Sequence, residues 1–150
     1  ALNSNSQREL IEMREAGKIN AVRIQNISKI SFISGLLLSA ITILLFYIYS
    51  DYINPEYNLD IGLLCILLVA RIINTFTGPV ALLLNVFVGP KIVANVTMIL
   101  LAIKSFFIVF LGSNLIEVVA IIALTSVAFT TICYILVKRH IKVNTLSWIK

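Results

Sequence analysis

Four long apolar runs, at residues 30–49, 61–88, 92–111 and 115–137, alternate along this chain with short polar stretches. At 1.5 Å per residue a helix of about twenty residues crosses the hydrocarbon core of a bilayer, so each run predicts a membrane span. The second run is too long for one straight crossing, since it would measure about 42 Å as an unbroken helix. Gly78-Pro79 is the expected break, because proline removes an amide and clashes with the preceding turn while glycine tolerates the bend. A second Gly-Pro pair, Gly89-Pro90, ends that run, and Gly112-Ser113-Asn114 predicts a tight turn before the fourth. Small residues recur at helical spacing in the first run, at Ser31, Gly35, Ser39 and Thr42, and predict a face on which another helix packs closely. A milder stripe, Ser126, Thr130 and Cys133, marks the fourth run.

The ends differ from the middle. Residues 1–29 are polar and carry Arg8, Arg14, Lys18, Arg23 and Lys29 against Glu9, Glu12 and Glu15. A signal peptide is excluded, since it places its apolar core within a dozen residues of its first charges. Ser6-Gln7-Arg8-Glu9 has capping-box spacing and predicts helix entry near Gln7. Leu10, Met13, Ile24 and Ile27 then give an imperfect apolar face, weakened by Gly17, which reads as a short interfacial helix or, failing that, a flexible basic loop. Tyr47, Tyr49 and Tyr52 suit an aromatic belt at the far end of the first span. Residues 138–150 form a basic tail whose Trp148 suits an interface.

Composition agrees with the pattern. Apolar residues make up 59% of the chain and charged ones 13%, with a mean hydropathy of +1.00. Those values describe an all-α polytopic membrane protein: four transmembrane helices preceded by a short basic amphipathic cytoplasmic helix. Lys and Arg concentrate in residues 1–29, at Lys91 and after Val137, whereas the loops at 50–60 and 112–114 hold none. The positive-inside rule therefore places both ends in the cytoplasm with four crossings between them. The net charge of +5 is accounted for by topology and contact with membrane lipid, so nucleic acid is not needed as a partner. Cys65 and Cys133 lie inside apolar runs and His140 stands alone among basic residues, which leaves no metal-ligand cluster and no nucleophile beside a base. With no paired carboxylates and no phosphate-binding glycine loop either, the sequence offers no catalytic residues, cofactor or metal site.

What it does offer is intramembrane cations. Arg71 lies near the expected midplane, where a charge costs roughly 3 kcal/mol or more. Counted along a helix, Asn74, Gly78 and Asn85 follow it at i+3, i+7 and i+14, one polar line among Leu, Ile, Val and Phe. That line has to face protein or water, because hydrocarbon supplies no hydrogen-bond partners. Lys104 in the third run shares a face with Thr97. Snorkelling is the alternative for both cations, and nearer to hand for Lys104, which is seven residues from Leu111. Glu117, near the outer end of the fourth run, is the nearest candidate acid in the spans.

The order of polar arm, span, LVARIINTFTGPVALLLNVFVGPK, two further spans and basic tail resembles the C-terminal part of the Wzx-type polysaccharide flippases, members of the multidrug, oligosaccharidyl-lipid and polysaccharide exporter superfamily. The segment from Arg71 to Lys91 carries most of the likeness. The resemblance covers essentially the whole chain, which corresponds to about the last third of such a protein, and the initial Ala1 suits an internal piece. It implies a bacterial inner-membrane protein moving an anionic lipid-linked oligosaccharide, an undecaprenyl-pyrophosphate glycan, by alternating access of two lobes. A partner is then the missing N-terminal part of the same transporter. It also implies Arg71 first and Lys104 second as substrate-binding residues, Asn74 and Asn85 as polar lining, and Gly78-Pro79 as a hinge. Two other functions fit the length and hydropathy: a four-span accessory protein of glycolipid assembly, and a multidrug exporter of the same superfamily.

Overall fold

Helices follow one another as α1 (Leu2–Glu15), α2 (Ala21–Tyr52), α3 (Ile61–Phe76), α4 (Val80–Phe87), α5 (Pro90–Leu111) and α6 (Leu115–His140). The computed structural model describes residues 2–17, 19–52, 61–143 and 145–146, apart from the side chains of 2–6, 49–52 and 61. Among the described residues there is no strand. Part of α2 (Ala21–Ile48), α5 and α6 are each long and apolar enough to cross a membrane, and α3 with α4 adds a fourth crossing if the bent pair is one span. This architecture fits a helical polytopic membrane protein. Trp148, the side chains of Tyr49 and Tyr52 and most of the loop at 50–60 lie outside the described residues.

The break in the second run falls where Gly78-Pro79 places it. Helix α3 stops at Phe76, Gly78 adopts φ 77°, and α4 restarts after Pro79 at a bend of 43°. The Gly78 amide donates to the Thr75 carbonyl at 3.1 Å, closing a turn that ends α3. Helix α6 touches α3, α4 and α5, α2 packs on α3, and α1 lies against α4. The small-residue face of α2 does pack closely: a Cβ on Gly35 would stand 2.5 Å from Thr75 Cγ2, and Ser39 is buried one turn further on. Elsewhere α2 and α5 present bare Leu, Ile, Val and Phe, with Val109 77% exposed and no residue of α5 buried. Such a surface is an association hazard in water and matches its surroundings in hydrocarbon.

The amino-terminal region corrects two expectations. Helix α1 already runs from Leu2, so Ser6 stands inside it and does not cap its start. The chain then turns at Gly17, φ 63°, and restarts at Asn20, whose side-chain oxygen accepts the Arg23 amide at 3.2 Å and caps α2. Residues 21–29 thus continue without interruption into the first apolar run. The apolar face expected to lie on a membrane surface is spent inside the protein. Leu10, Met13, Ile24 and Ile27 are buried with Val80, Leu83, Leu84 and Val86 of α4 and with Cys133 and Val137 of α6. Just after α6, Ile141 and Val143 are buried in the same core. Burying each large aliphatic side chain is worth about 1.5–3 kcal/mol relative to water, which explains why the arm and these two residues pack inward.

Candidate functional site

Arg71 is exposed on α3 and lines an open cleft of about 410 Å³ between α3, α6 and α2, together with Thr42, Leu68, Asn74, Ile122 and Ser126. Lys104, partly buried on α5, lines a second cleft of about 290 Å³ with Thr97, Ile122, Thr125, Ser126 and Phe129. Ile122 and Ser126 belong to both. The two cations, on different helices, thus border two clefts that share these α6 residues. A third cleft of about 300 Å³ lies at the bend, where Asn85, Gly78 and Pro79 meet Asn74, Phe129 and Thr130.

Asn74, expected as polar lining, borders the first and third clefts and is also bonded across to α6. Its Nδ2 donates to Ser126 Oγ at 2.6 Å, and its Oδ1 accepts from Thr130 Oγ1 at 2.8 Å. Both ends of the amide are thus engaged by α6, and Asn74 ties α3 to α6 one turn from Arg71. The polar stripe of α6 exists to meet it: Ser126 and Thr130 stand at i and i+4, the spacing that lets two hydroxyls grip one amide. Asn85 is exposed and lines the third cleft, but not through the straight helical count from Arg71, since the 43° bend lies between them. The remaining hydroxyls look after themselves. Thr42, Thr97 and Thr125 each donate to a carbonyl of the preceding turn at 2.8 Å, which satisfies them in a medium without water.

Among the described residues no carboxylate lines these three clefts, and Arg71 and Lys104 make no ion pair. Glu117 is not their counter-charge. It closes a cap at the start of α6, accepting from the Ser113 amide at 2.8 Å and the Ser113 hydroxyl at 2.7 Å, while its own amide donates to Asn114 Oδ1 at 2.9 Å. Sequence reading named both cations, the two asparagines and Thr97, and missed Phe129, the residue that joins the Lys104 cleft to the bend. Its signal was weak, because a lone Phe at membrane depth is indistinguishable in sequence from lipid-facing neighbours. Among the described residues no group of His, Cys, Asp and Glu is arranged to hold a metal ion.

The first two clefts each carry one cation beside hydroxyl-bearing residues of α6. Arg offers a planar fork of donors that fits phosphate oxygens in pairs, and Lys acts as a point charge. Comparison with known proteins gave no matching family model, no similar curated protein and no similar solved structure.

Proposed function

We propose that this chain forms part of a membrane transporter for an anionic lipid-linked oligosaccharide, an undecaprenyl-pyrophosphate glycan, in the bacterial inner membrane. One observation supports the reading: the Arg71 and Lys104 clefts share Ile122 and Ser126, so two cations border the same stretch of α6, with no carboxylate among the described lining residues. In this reading Arg71 and Lys104 neutralise the diphosphate as it leaves water, which offsets the desolvation that otherwise bars a charged head from the bilayer. Asn85 contributes polar lining nearer the bend, and Asn74 holds Arg71's helix in place. Both chain ends face the cytoplasm, where Lys91 and the basic residues after Val137 meet anionic headgroups. The lipid tail stays in hydrocarbon while two lobes rock about the substrate, the second lobe supplied by the rest of the transporter. The Gly78-Pro79 break lets the bent span flex between states. Export of cationic drugs is disfavoured, because a cationic cargo calls for a carboxylate in the clefts.

The test is flipping of a fluorescent undecaprenyl-pyrophosphate glycan in cells lacking their own flippase, using the full-length protein. Arg71→Ala is expected to lower flipping about tenfold or more at unchanged protein level, and Arg71→Glu to abolish it. Normal flipping by both variants would make Arg71 structural and remove the basis of this reading.

A further inference from the structure

The bend between α3 and α4 gathers three hydroxyl-bearing residues from three parts of the chain, and they are not in equivalent states. An unbroken helix would have bonded the Thr77 carbonyl to the amide four residues on, but the break removes that partner. The carbonyl instead accepts from Thr145 Oγ1 at 2.9 Å, and Thr145 is 0% exposed. A residue of the segment after α6 thus caps the broken end of α3. Thr77 turns its own hydroxyl back to the Asn74 carbonyl at 3.1 Å. Ser28 of α2 is the third. It is 0% exposed, and its Oγ has no hydrogen-bond partner among the described residues. It is pressed against the break: a Cβ on Gly78 would lie 2.5 Å from Ser28 Oγ.

A buried hydroxyl without a partner costs about 1–3 kcal/mol. Membrane helices broken at Gly and Pro have their freed backbone groups taken up by Ser and Thr of neighbouring helices. Two hydroxyls therefore flank one set of freed carbonyls, and in this conformation only Thr145 is bonded to one. We propose that Thr145 and Ser28 form a two-position latch on the α3–α4 hinge. In the position described here Thr145 holds the Thr77 carbonyl and the hinge is bent by 43°. In the second position α4 swings, Thr145 lets go, and Ser28 donates to a carbonyl freed at the break. In the proposed motion helix α1 travels with α4, the helix it packs against. Thr145 is then a tie whose release sets the angle of the bent span. This inference does not depend on the identity of the transported molecule.

The latch makes opposite predictions for its two ends. Ketoxime spin labels at Val69 on α3 and Gln7 on α1, both exposed, leave the native cysteines in place, and the distance between them is read by pulsed electron resonance in the full-length protein in nanodiscs. Thr145→Val is expected to enlarge a second distance population about fivefold to tenfold. Thr145→Ser restores the original distribution, which separates the lost hydroxyl from a folding defect. Ser28→Ala is expected to deplete the second population, also in the Thr145→Val background. A distribution unmoved by Thr145→Val, or a second population that grows with Ser28→Ala as well, overturns the latch.

Discussion

Asn74 carries more of the fold than its place in a polar line suggests. Interhelical hydrogen bonds in membranes are worth about 0.6 kcal/mol on average and up to about 1.7. Asn74→Leu gives up the bonds to Ser126 and Thr130, so a loss of about 1–2 kcal/mol is expected in thermal unfolding in detergent. Ser126→Ala and Thr130→Ala should each give part of that loss, and should add almost nothing once Asn74 is Leu. In the flipping assay Asn74 variants should be milder than Arg71 variants, because Asn74 acts through helix placement. Glycines give a second contrast at this scale. Gly78→Ala meets Ser28 and a backbone φ of 77°, whereas Gly89→Ala, at φ 132°, meets open space. Both are strained, but Gly78→Ala should cost about 1–3 kcal/mol more in the same unfolding measurement, the range for overpacking. Residue chemistry of this kind was half legible in the sequence. Arg71 and Lys104 announce themselves because charge is rare at membrane depth, while Ser28 and Thr145 look like ordinary helix and tail residues until the fold sets them on the break.

At the scale of elements, the spans and the bend were legible because hydropathy and Gly-Pro act locally. The amino-terminal helices were not. Gly17 and Asn20 together are a stop and a start, a glycine at positive φ followed by an N-cap, yet the faint apolar face of 1–29 reads as one surface helix. Its true partner, the buried face of α4, lies more than fifty residues away in the chain, and no local pattern reveals that pairing. Asn20→Ala is expected to cost about 1 kcal/mol by removing the acceptor for the Arg23 amide, with fraying confined to the first turn of α2 in hydrogen exchange. The Arg23–Glu9 contact between α1 and α2, at 3.6 Å with both side chains about half exposed, adds little by comparison. Close packing of Gly35 on Thr75 fixes how α2 meets α3, and that contact was readable from small-residue spacing.

Seen as a whole, the molecule divides its work. One end holds the tight core of α1, the start of α2, α4, the end of α6 and the segment after it. The other elements expose apolar side chains along α2 and α5 and set the Arg71 and Lys104 clefts along α6. In this conformation the core packs on α4, and the 43° bend sets where Asn85 stands relative to Arg71. The clefts themselves could not be read from sequence, since Arg71 and Lys104 lie on different helices and border the same α6 residues only through the fold. The proposed anion role rests on that shared lining. The direct measurement is binding of a short-chain polyprenyl-diphosphate glycan to the purified full-length protein, compared with its Arg71→Ala, Lys104→Ala and doubly substituted forms. Weakening of about tenfold by each single change, stronger weakening by both and relief of binding by added salt are the predicted results. Affinity unchanged in both single variants would contradict the account, and would return the two cations to the role of anchors reaching for the membrane surface.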